Sequence, residues 1–313
     1  MALKPKVYID GQSGTTGLQI RERLEKRSDI ELLRIDEDKR HDSAERKKFL
    51  NAADVAFLCL PDDGAREAAA MVENPNTCII DASTAHRTAE GWTYGFPELS
   101  GEQRAAIQAS RRIANPGCHA TGLISSTAPL VRMGILPADY PLTCFSLTGY
   151  SGGGKKMIAE YEAPERDGRL ASGRLYALTQ KHKHLPEMVK VCGLAHPPVF
   201  VPVVEDFYKG MATTILLQSA LLAKPVTGQE LRDALAEYYA GQRFVTVAPY
   251  GGDEPVLFAS TLAGTNQLRL VVAGNDEQIT VTALFDNLGK GASGAAVQNM
   301  NLVLGFDEGA GLE

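Results

Sequence analysis

Asn115-Pro116-Gly117-Cys118 places a thiol directly after a sharp turn and directly before a helical run over 120–133. A thiol at a helix N-terminus has its thiolate favoured by the helix dipole and by unpaired backbone N–H groups. The same N–H groups can hold an oxyanion formed by attack on a carbonyl. Cys59, Cys78 and Cys144 lie instead inside apolar strand patterns, and Cys192 sits in a Val-Cys-Gly segment; there a cysteine serves as a small hydrophobe. Cys118 is the candidate nucleophile. A second cluster is Gln180-Lys181-His182-Lys183-His184-Leu185-Pro186-Glu187. It reads either as a solvated charge run or as a site that carries a base. Its His-x-His spacing has no third ligand nearby, so no metal is expected. His119 adjoins Cys118, but successive side chains on a helix point about 100° apart, which disfavours it as the base.

A glycine-rich loop offers a different chemistry. Gly11-Gln12-Ser13-Gly14-Thr15-Thr16-Gly17 follows a short β-branched strand and opens a helix. Glycines there permit a tight turn and close backbone approach, and the helix N-terminus attracts a pyrophosphate. Asp36 stands where an acid would meet the 2′-hydroxyl of NAD, whereas Arg34 and Lys39-Arg40 would suit a 2′-phosphate; the local sequence leaves both open. Ser83-Thr84-Ala85-His86-Arg87 follows a strand, at the carboxyl edge where parallel sheets bind ligands, and Arg87 is a natural fork for carboxylate or phosphate. The segment 149–154, followed by Lys155-Lys156, is either a phosphate cradle or a plain loop.

These groups need elements to hold them. Strands are predicted over 6–10, 30–35, 55–60 and 77–81, with helices over 18–27, 41–51, 65–72 and 101–112 between and after them. In the first helix Leu18, Ile20 and Leu24 are the expected apolar positions. Such alternation implies a parallel sheet with right-handed crossovers. Beyond about residue 120 the strand patterns lengthen, over 142–148, 196–204, 211–217, 268–273 and 278–285, as in an α+β domain with a mixed sheet. The tail over 291–304 is a small-residue helix with little charge, which must dock.

Composition narrows the class. The chain has 313 residues, 44% hydrophobic and 22% charged, with 32 basic and 38 acidic side chains, a net charge of −6. There is room for two domains, and the basic stripe of a nucleic-acid groove is missing. Apolar runs such as 55–60 are far below the roughly 18 residues of a membrane span, and the first residues lack a signal-peptide pattern. Five scattered cysteines make neither a disulfide framework nor a zinc pattern. A cytoplasmic two-domain enzyme is expected, with no nucleic-acid or membrane partner.

Gly11-x-x-Gly14-x-x-Gly17, Asn115-Pro116-Gly117-Cys118, Gly149-Tyr150-Ser151-Gly152, His182-x-His184-x-Pro186-Glu187 and Lys290-Gly291-Ala292-Ser293-Gly294 occur in one order along the chain. Together they resemble the N-acetyl-gamma-glutamyl-phosphate reductase family of the aspartate-semialdehyde dehydrogenase superfamily, in its shorter branch. The longer branch carries Cys-Tyr-Pro-Thr where this chain has Cys118-His119-Ala120-Thr121. The resemblance implies an α/β fold: a Rossmann-type dinucleotide domain over 1–117 plus 286–313, completed by a returning C-terminal helix, and an α+β catalytic and dimerisation domain over 118–285. It implies NADPH-dependent reductive dephosphorylation of N-acetyl-L-glutamyl 5-phosphate to the 5-semialdehyde through a cysteine thioester, a step of arginine biosynthesis. A related reductase of aminoadipyl or aspartyl phosphate, and a catalytically silent nucleotide sensor, are the alternatives.

The resemblance also assigns residues. Cys118 is the nucleophile, His184 the acid/base and His182 its runner-up. Gly11, Ser13, Gly14, Thr15, Thr16, Gly17, Arg34, Ser83, Gly152, Asn287 and Lys290 would meet NADP. Arg87, Asn115, Ser151 and Lys181 would meet the substrate. The partners implied are a small-molecule substrate, inorganic phosphate and further copies of the chain in a homodimer or homotetramer.

Overall fold

The computed structural model describes residues 3–312; Met1, Ala2 and Glu313, at the ends of the domain spans given above, lie outside the described residues. The chain divides into two units, Met1–Pro116 with Ala292–Glu313, and Gly117–Gly291.

In the first unit β1 (Lys6–Asp10) runs through the glycine loop into α1 (Thr15–Leu24). The helix buries Gly17, Ile20 and Leu24. Leu18, expected on that face, is instead 41% exposed. It lies about 100° around the helix from Gly17, off the stripe that 17, 20 and 24 define. The strand expected over 30–35 shrinks to β2 (Glu31–Leu32), an edge strand beside β1. Edge strands are kept short, and the turn closed by Lys39 N donating to Asp36 O leads the chain away. Asp42 caps α2 (Ser43–Ala52) by accepting from Ala44 N and Glu45 N. Then come β3 (Val55–Leu58), α3 (Asp62–Ala70), β4 (Cys78–Asp81), β5 (Thr93–Tyr94), α4 (Gly101–Ala109) and β6 (Arg112–Ala114). The sheet order is β2-β1-β3-β4-β6-β5, and all its pairs are parallel. β1 has β2 on one side and β3 on the other, so the glycine loop leaves the sheet at a switch point, where such sheets take ligands.

The second unit opens with α5 (Cys118–Arg132), buried without interruption from His119 to Leu130. β7 (Thr143–Gly149), α6 (Gly154–Tyr161), β8 (Arg174–Leu175), α7 (Leu185–Cys192), β9 (Val199–Glu205) and β10 (Met211–Gln218) follow. Thr227 and Glu230 form a capping box for α8 (Gly228–Tyr238). β11 (Val245–Val247), β12 (Leu268–Gly274) and β13 (Gln278–Phe285) complete a mixed sheet of order β11-β12-β13-β10-β7-β9-β8. α5 lies against β10 and β13, so the helix that starts at Cys118 has a sheet for its floor.

After β13 the chain stays with the second unit through Gly291, because Asp286 accepts from the backbone N–H groups of Gly264, Leu288 and Gly289. By its contacts, the first unit resumes at Ala292. A π-type turn over Gly289–Ser293 leads into α9 (Gly294–Leu304), whose residues Gly294 to Leu302 are all buried. α9 packs on α1, α4 and β4 of the first unit. Asn299 Nδ2 donates to Gly95 O at 2.9 Å, and Gln298 Nε2 donates to Glu98 Oε1 at 2.8 Å. The uncharged tail is thus a core helix in which Gln298, Asn299 and Asn301 each donate within the unit, while Asn299 Oδ1 is left without a partner.

Candidate active site

Cys118 is the first residue of α5, with Gly117 as N-cap in extended conformation. The Gly117 N–H donates to Glu187 Oε2 at 3.2 Å, and Glu187 is itself buried. That carboxylate, from the first turn of α7, fixes the turn that presents the thiol. The positive end of the α5 dipole lies at this turn, beside the thiol. A Cβ on Gly291 would stand 3.0 Å from Cys118 Cβ, so glycine there keeps the flank of the thiol open. Cys118 is partly exposed, whereas Cys78, Cys144 and Cys192 are buried. Burial pushes the Cys78 thiol up to about 12 and raises those of Cys144 and Cys192 too. The Cys59 thiol is pushed up by burial and by the Asp81 and Asp10 carboxylates.

The cationic segment is not a solvated run. Its lysines, Lys181 and Lys183, are exposed, but His184, Leu185, Glu187 and Met188 are buried and His182 is half-buried. His182 and His184 have ring centroids 4.7 Å apart, and those of His119 lie 5.5 and 5.8 Å from them. His182 Nδ1 accepts from His184 N at 3.2 Å. Three imidazoles thus gather within the unit that carries Cys118. The approach to them is strained: Ala177 and Gln180 have φ of 52° and 57°, each costing about 1–2 kcal/mol for a side chain with Cβ. Gln180 offsets part of this by holding the Phe200 backbone at both ends, its Nε2 donating to Phe200 O and its Oε1 accepting from Phe200 N, each at 2.9 Å.

His119 is spoken for. Its Nδ1 pairs with Ser146 Oγ and its Nε2 with Tyr176 OH, both at 2.7 Å. Burial, followed by the His182 and Lys183 charges, pulls its pKa down from 6.5 to about 3. As pH falls below 6.5 the unfolded chain takes up a proton that the folded one refuses until about pH 3, so stability present at neutral pH is lost on acidification. Between pH 7 and 5 the loss from this group is about 2 kcal/mol. His119→Gln should flatten the pH dependence of denaturant unfolding by about that amount; an unchanged slope would show that His119 takes up a proton in the folded state.

Of the ligands assigned by resemblance in the second unit, Ser151 and Asn287 are brought together but turned inward. Asn287 Nδ2 donates to Ser151 Oγ at 2.9 Å, its Oδ1 accepts from Gly210 N, and both residues are 1% exposed. Gly152 lies beside them, where a Cβ would come 3.4 Å from Asn287 Nδ2. Lys290 is also 1% exposed, its ammonium 5.9 Å from the Phe244 ring centroid, a cation–π placement. Lys290 and Asn287 are thus held by bonds and packing within this unit.

In the first unit the glycine loop borders a cavity of about 310 Å³ lined by Gly11, Gln12, Ser13, Gly14, Arg40, His41 and Arg46 among others. Gly11 has φ of +88°, and a Cβ there would lie 2.3 Å from Cys59 O. Gly14 caps α1 without any side-chain bond, and Thr15 Oγ1 is buried with no hydrogen-bond partner in the protein. An anion cradle with an orphan hydroxyl at a helix N-terminus fits a dinucleotide pyrophosphate. Arg34 does not reach this cavity; it pairs with Glu25 at 3.0 Å. Asp36 pairs with Lys39 on the surface. Arg40, which pairs with Glu37, and His41 line the cavity in their place. Asp10 and Arg46, which no motif marks, form an almost fully buried ion pair at 3.0 Å on the cavity wall. The signal was an acid ending β1 and an arginine on the inner face of α2.

Ser83 and Arg87 serve the loop after β4. Ser83 Oγ donates to Asp81 Oδ2, which His86 Nδ1 also meets at 2.6 Å. Arg87 Nε donates to Asn115 O at 2.9 Å and its Nη2 to Ala82 O at 3.1 Å. Asn115 is 1% exposed, with Nδ2 donating to Ala292 O and Oδ1 accepting from Asn299 Nδ2. Asn115 therefore braces the turn before Cys118. Arg87 grips the carbonyl of that brace.

Two domain families match the chain. The semialdehyde dehydrogenase NAD-binding domain covers residues 6–107 and the semialdehyde dehydrogenase dimerisation domain residues 118–287. An N-acetyl-gamma-glutamyl-phosphate reductase of Nostoc sp. is 48% identical over 99% of both chains. One from Mesorhizobium japonicum is 49% identical over 97% of this chain and all of its own. Among solved structures, aspartate semialdehyde dehydrogenase II of Vibrio cholerae superposes with a TM-score of 0.74 at 17% identity, over 97% of this chain and 99% of that one; this likeness is one of fold. The two-unit division, the cysteine at the head of α5 and near half-identity from end to end agree: the chain belongs to the N-acetyl-gamma-glutamyl-phosphate reductase family of the semialdehyde dehydrogenases.

Proposed function

We propose that the protein reduces N-acetyl-L-glutamyl 5-phosphate to N-acetyl-L-glutamate 5-semialdehyde with release of inorganic phosphate. The observation that carries the reading is Cys118 at the head of α5, in a unit where buried histidines gather, in a chain 48% identical to a reductase of that name. The Cys118 thiolate attacks the acyl carbon, the C–O bond to phosphate breaks, and a thioester forms. The first N–H groups of α5 stabilise the oxyanion of the tetrahedral intermediate. NADPH, held by the glycine loop, would supply a hydride, which a thioester accepts more readily than a carboxylate. The hemithioacetal then collapses, the C–S bond breaks, and the aldehyde leaves as Cys118 returns to thiolate. Covalent catalysis thus divides one hard reduction into two easier steps. His184 acts as acid/base, His182 supports it, and Lys181 offers an exposed cation to the substrate.

The glycine loop, with Ser13, Thr15, Thr16 and Gly17, would hold the pyrophosphate, and Arg40 the 2′-phosphate of NADPH. Catalytic efficiency should favour NADPH over NADH. Arg40→Ala should lower it about 10–100-fold with NADPH, the range of a charge-assisted hydrogen bond, and leave it nearly unchanged with NADH. A wild-type preference for NADH would restore Asp36 as the ribose ligand.

The test of the reaction runs it backwards. N-acetyl-glutamate semialdehyde should reduce NADP only when inorganic phosphate is present. Faster turnover with aspartate semialdehyde or the aminoadipate homologue would shift the substrate assignment, and no turnover with any of them would leave a nucleotide sensor. Assembly through the dimerisation domain as a homodimer or homotetramer is read by light scattering. No helix among the described residues is long and apolar enough to cross a membrane.

A further inference from the structure

The residue after the nucleophile heads a buried chain of hydrogen bonds that the reaction above does not use. Thr213 and Ser146 are register partners on β10 and β7, with hydroxyls 2.8 Å apart. Ser146 Oγ meets His119 Nδ1 and His119 Nε2 meets Tyr176 OH, both at 2.7 Å. Thr213, Ser146 and His119 are all buried. Tyr176 stands at the start of the segment that leads through the positive-φ residues Ala177 and Gln180 to His182 and His184. Its ring centroid lies 5.6 Å from that of His182, and its backbone N–H donates to Pro202 O. A neutral imidazole has one donor and one acceptor nitrogen, and hydroxyl partners can serve either, so the chain is satisfied throughout. Strained backbone persists only where its surroundings over-determine it, and the histidine segment has such a fastening at Tyr176.

We propose that His119 and Tyr176 are positioning residues whose hydrogen bond latches the segment 176–184, and with it His182 and His184, to the first turn of the helix that carries Cys118. The sheet hydroxyls of Ser146 and Thr213 anchor the latch. Histidine after the nucleophile, where the longer family branch has tyrosine, is then matched to a phenol supplied by this chain's own loop. The proposal rests on the reductase reading for its turnover readout only.

Asn reproduces the Nδ1 position of histidine and Gln the Nε2 position, so the two replacements cut the chain at different links. Tyr176→Phe and His119→Asn should each lower kcat about tenfold, the effect of one lost hydrogen bond, with KM for the acyl phosphate changed less than about twofold. Their double variant should be no worse than either alone, since both break one link. His119→Gln, which keeps the bond to Tyr176, should retain most of the turnover. Amide exchange over 177–184 should rise in Tyr176→Phe and His119→Asn and stay low in His119→Gln. Additive losses, or full turnover in Tyr176→Phe, would overturn the latch. A wild-type protein inactive on the acyl phosphate would overturn the reductase reading instead; the exchange pattern then decides the latch, and unchanged exchange in Tyr176→Phe refutes it. Should His119→Asn fail to fold, Tyr176→Phe, which removes one oxygen from a half-buried ring, carries the test.

Discussion

Cys118→Ser is expected to abolish turnover, with a loss on the order of 10⁴-fold or more, the scale seen when a covalent nucleophile is removed. Folding and NADPH binding should be intact, because the side chain changes by one atom at the head of α5 and the glycine cradle belongs to the other unit. The reason lies in ionisation. A thiol at a helix N-terminus is partly thiolate at neutral pH, whereas a serine hydroxyl there is not and needs a base to attack. Iodoacetamide gives an independent reading of the same chemistry. Cys118 is partly exposed, and the thiols of Cys59, Cys78, Cys144 and Cys192 are all pushed up by burial. Labelling should therefore begin at Cys118. Near-normal turnover in the serine variant would remove Cys118 from the mechanism, whereas first reaction at Cys59, partly exposed like Cys118, or at Cys78 would show only that its strand does not shield that thiol.

The elements that the sequence makes legible are those with strong local signals. β1, β3, β4 and the five long strands of the second unit announce themselves by apolar, β-branched runs, and α5 by the turn before it. What stays hidden is of two kinds. β5, β6, β8 and β11 have two or three residues each, too short for any period to show. The site's inner chemistry depends on partners distant in the chain. Nothing near His119 points to Ser146 or Tyr176, and nothing near Gly117 points to Glu187, seventy residues on. Motif residues also bond to one another. Asn115, Ser151, Asn287 and Lys290 have the right types in the right order, yet their polar atoms are directed inward. A motif records which residues a fold needs together; only the bonds say whether they hold a ligand or each other.

The histidine segment is where chemistry and scaffold are hardest to separate, so its variants are the second large effect expected. His184→Asn should lose on the order of 10²–10⁴-fold in rate, the usual contribution of a general acid or base. The loss should fall on kcat, since proton transfer is made in the transition state. His184 is 4% exposed and stands as N-cap of α7, three residues before the Glu187 that holds the Cys118 turn. It is thus tied to the nucleophile through a rigid first turn. His182 is half-buried, and its Nδ1 accepts from the His184 backbone N–H. Asparagine can reproduce that Nδ1 contact, so His182→Asn should lose less and act more on KM, through the substrate surface it shares with exposed Lys181 and Lys183. A larger loss at His182 than at His184 would reverse their roles. Near-full activity in both variants would mean that the buried imidazoles are structural. His119 would not then take their place, because both its nitrogens are bonded and burial holds it neutral down to about pH 3. A base would have to come from the substrate's own phosphate, and the rate would no longer follow the titration of any histidine.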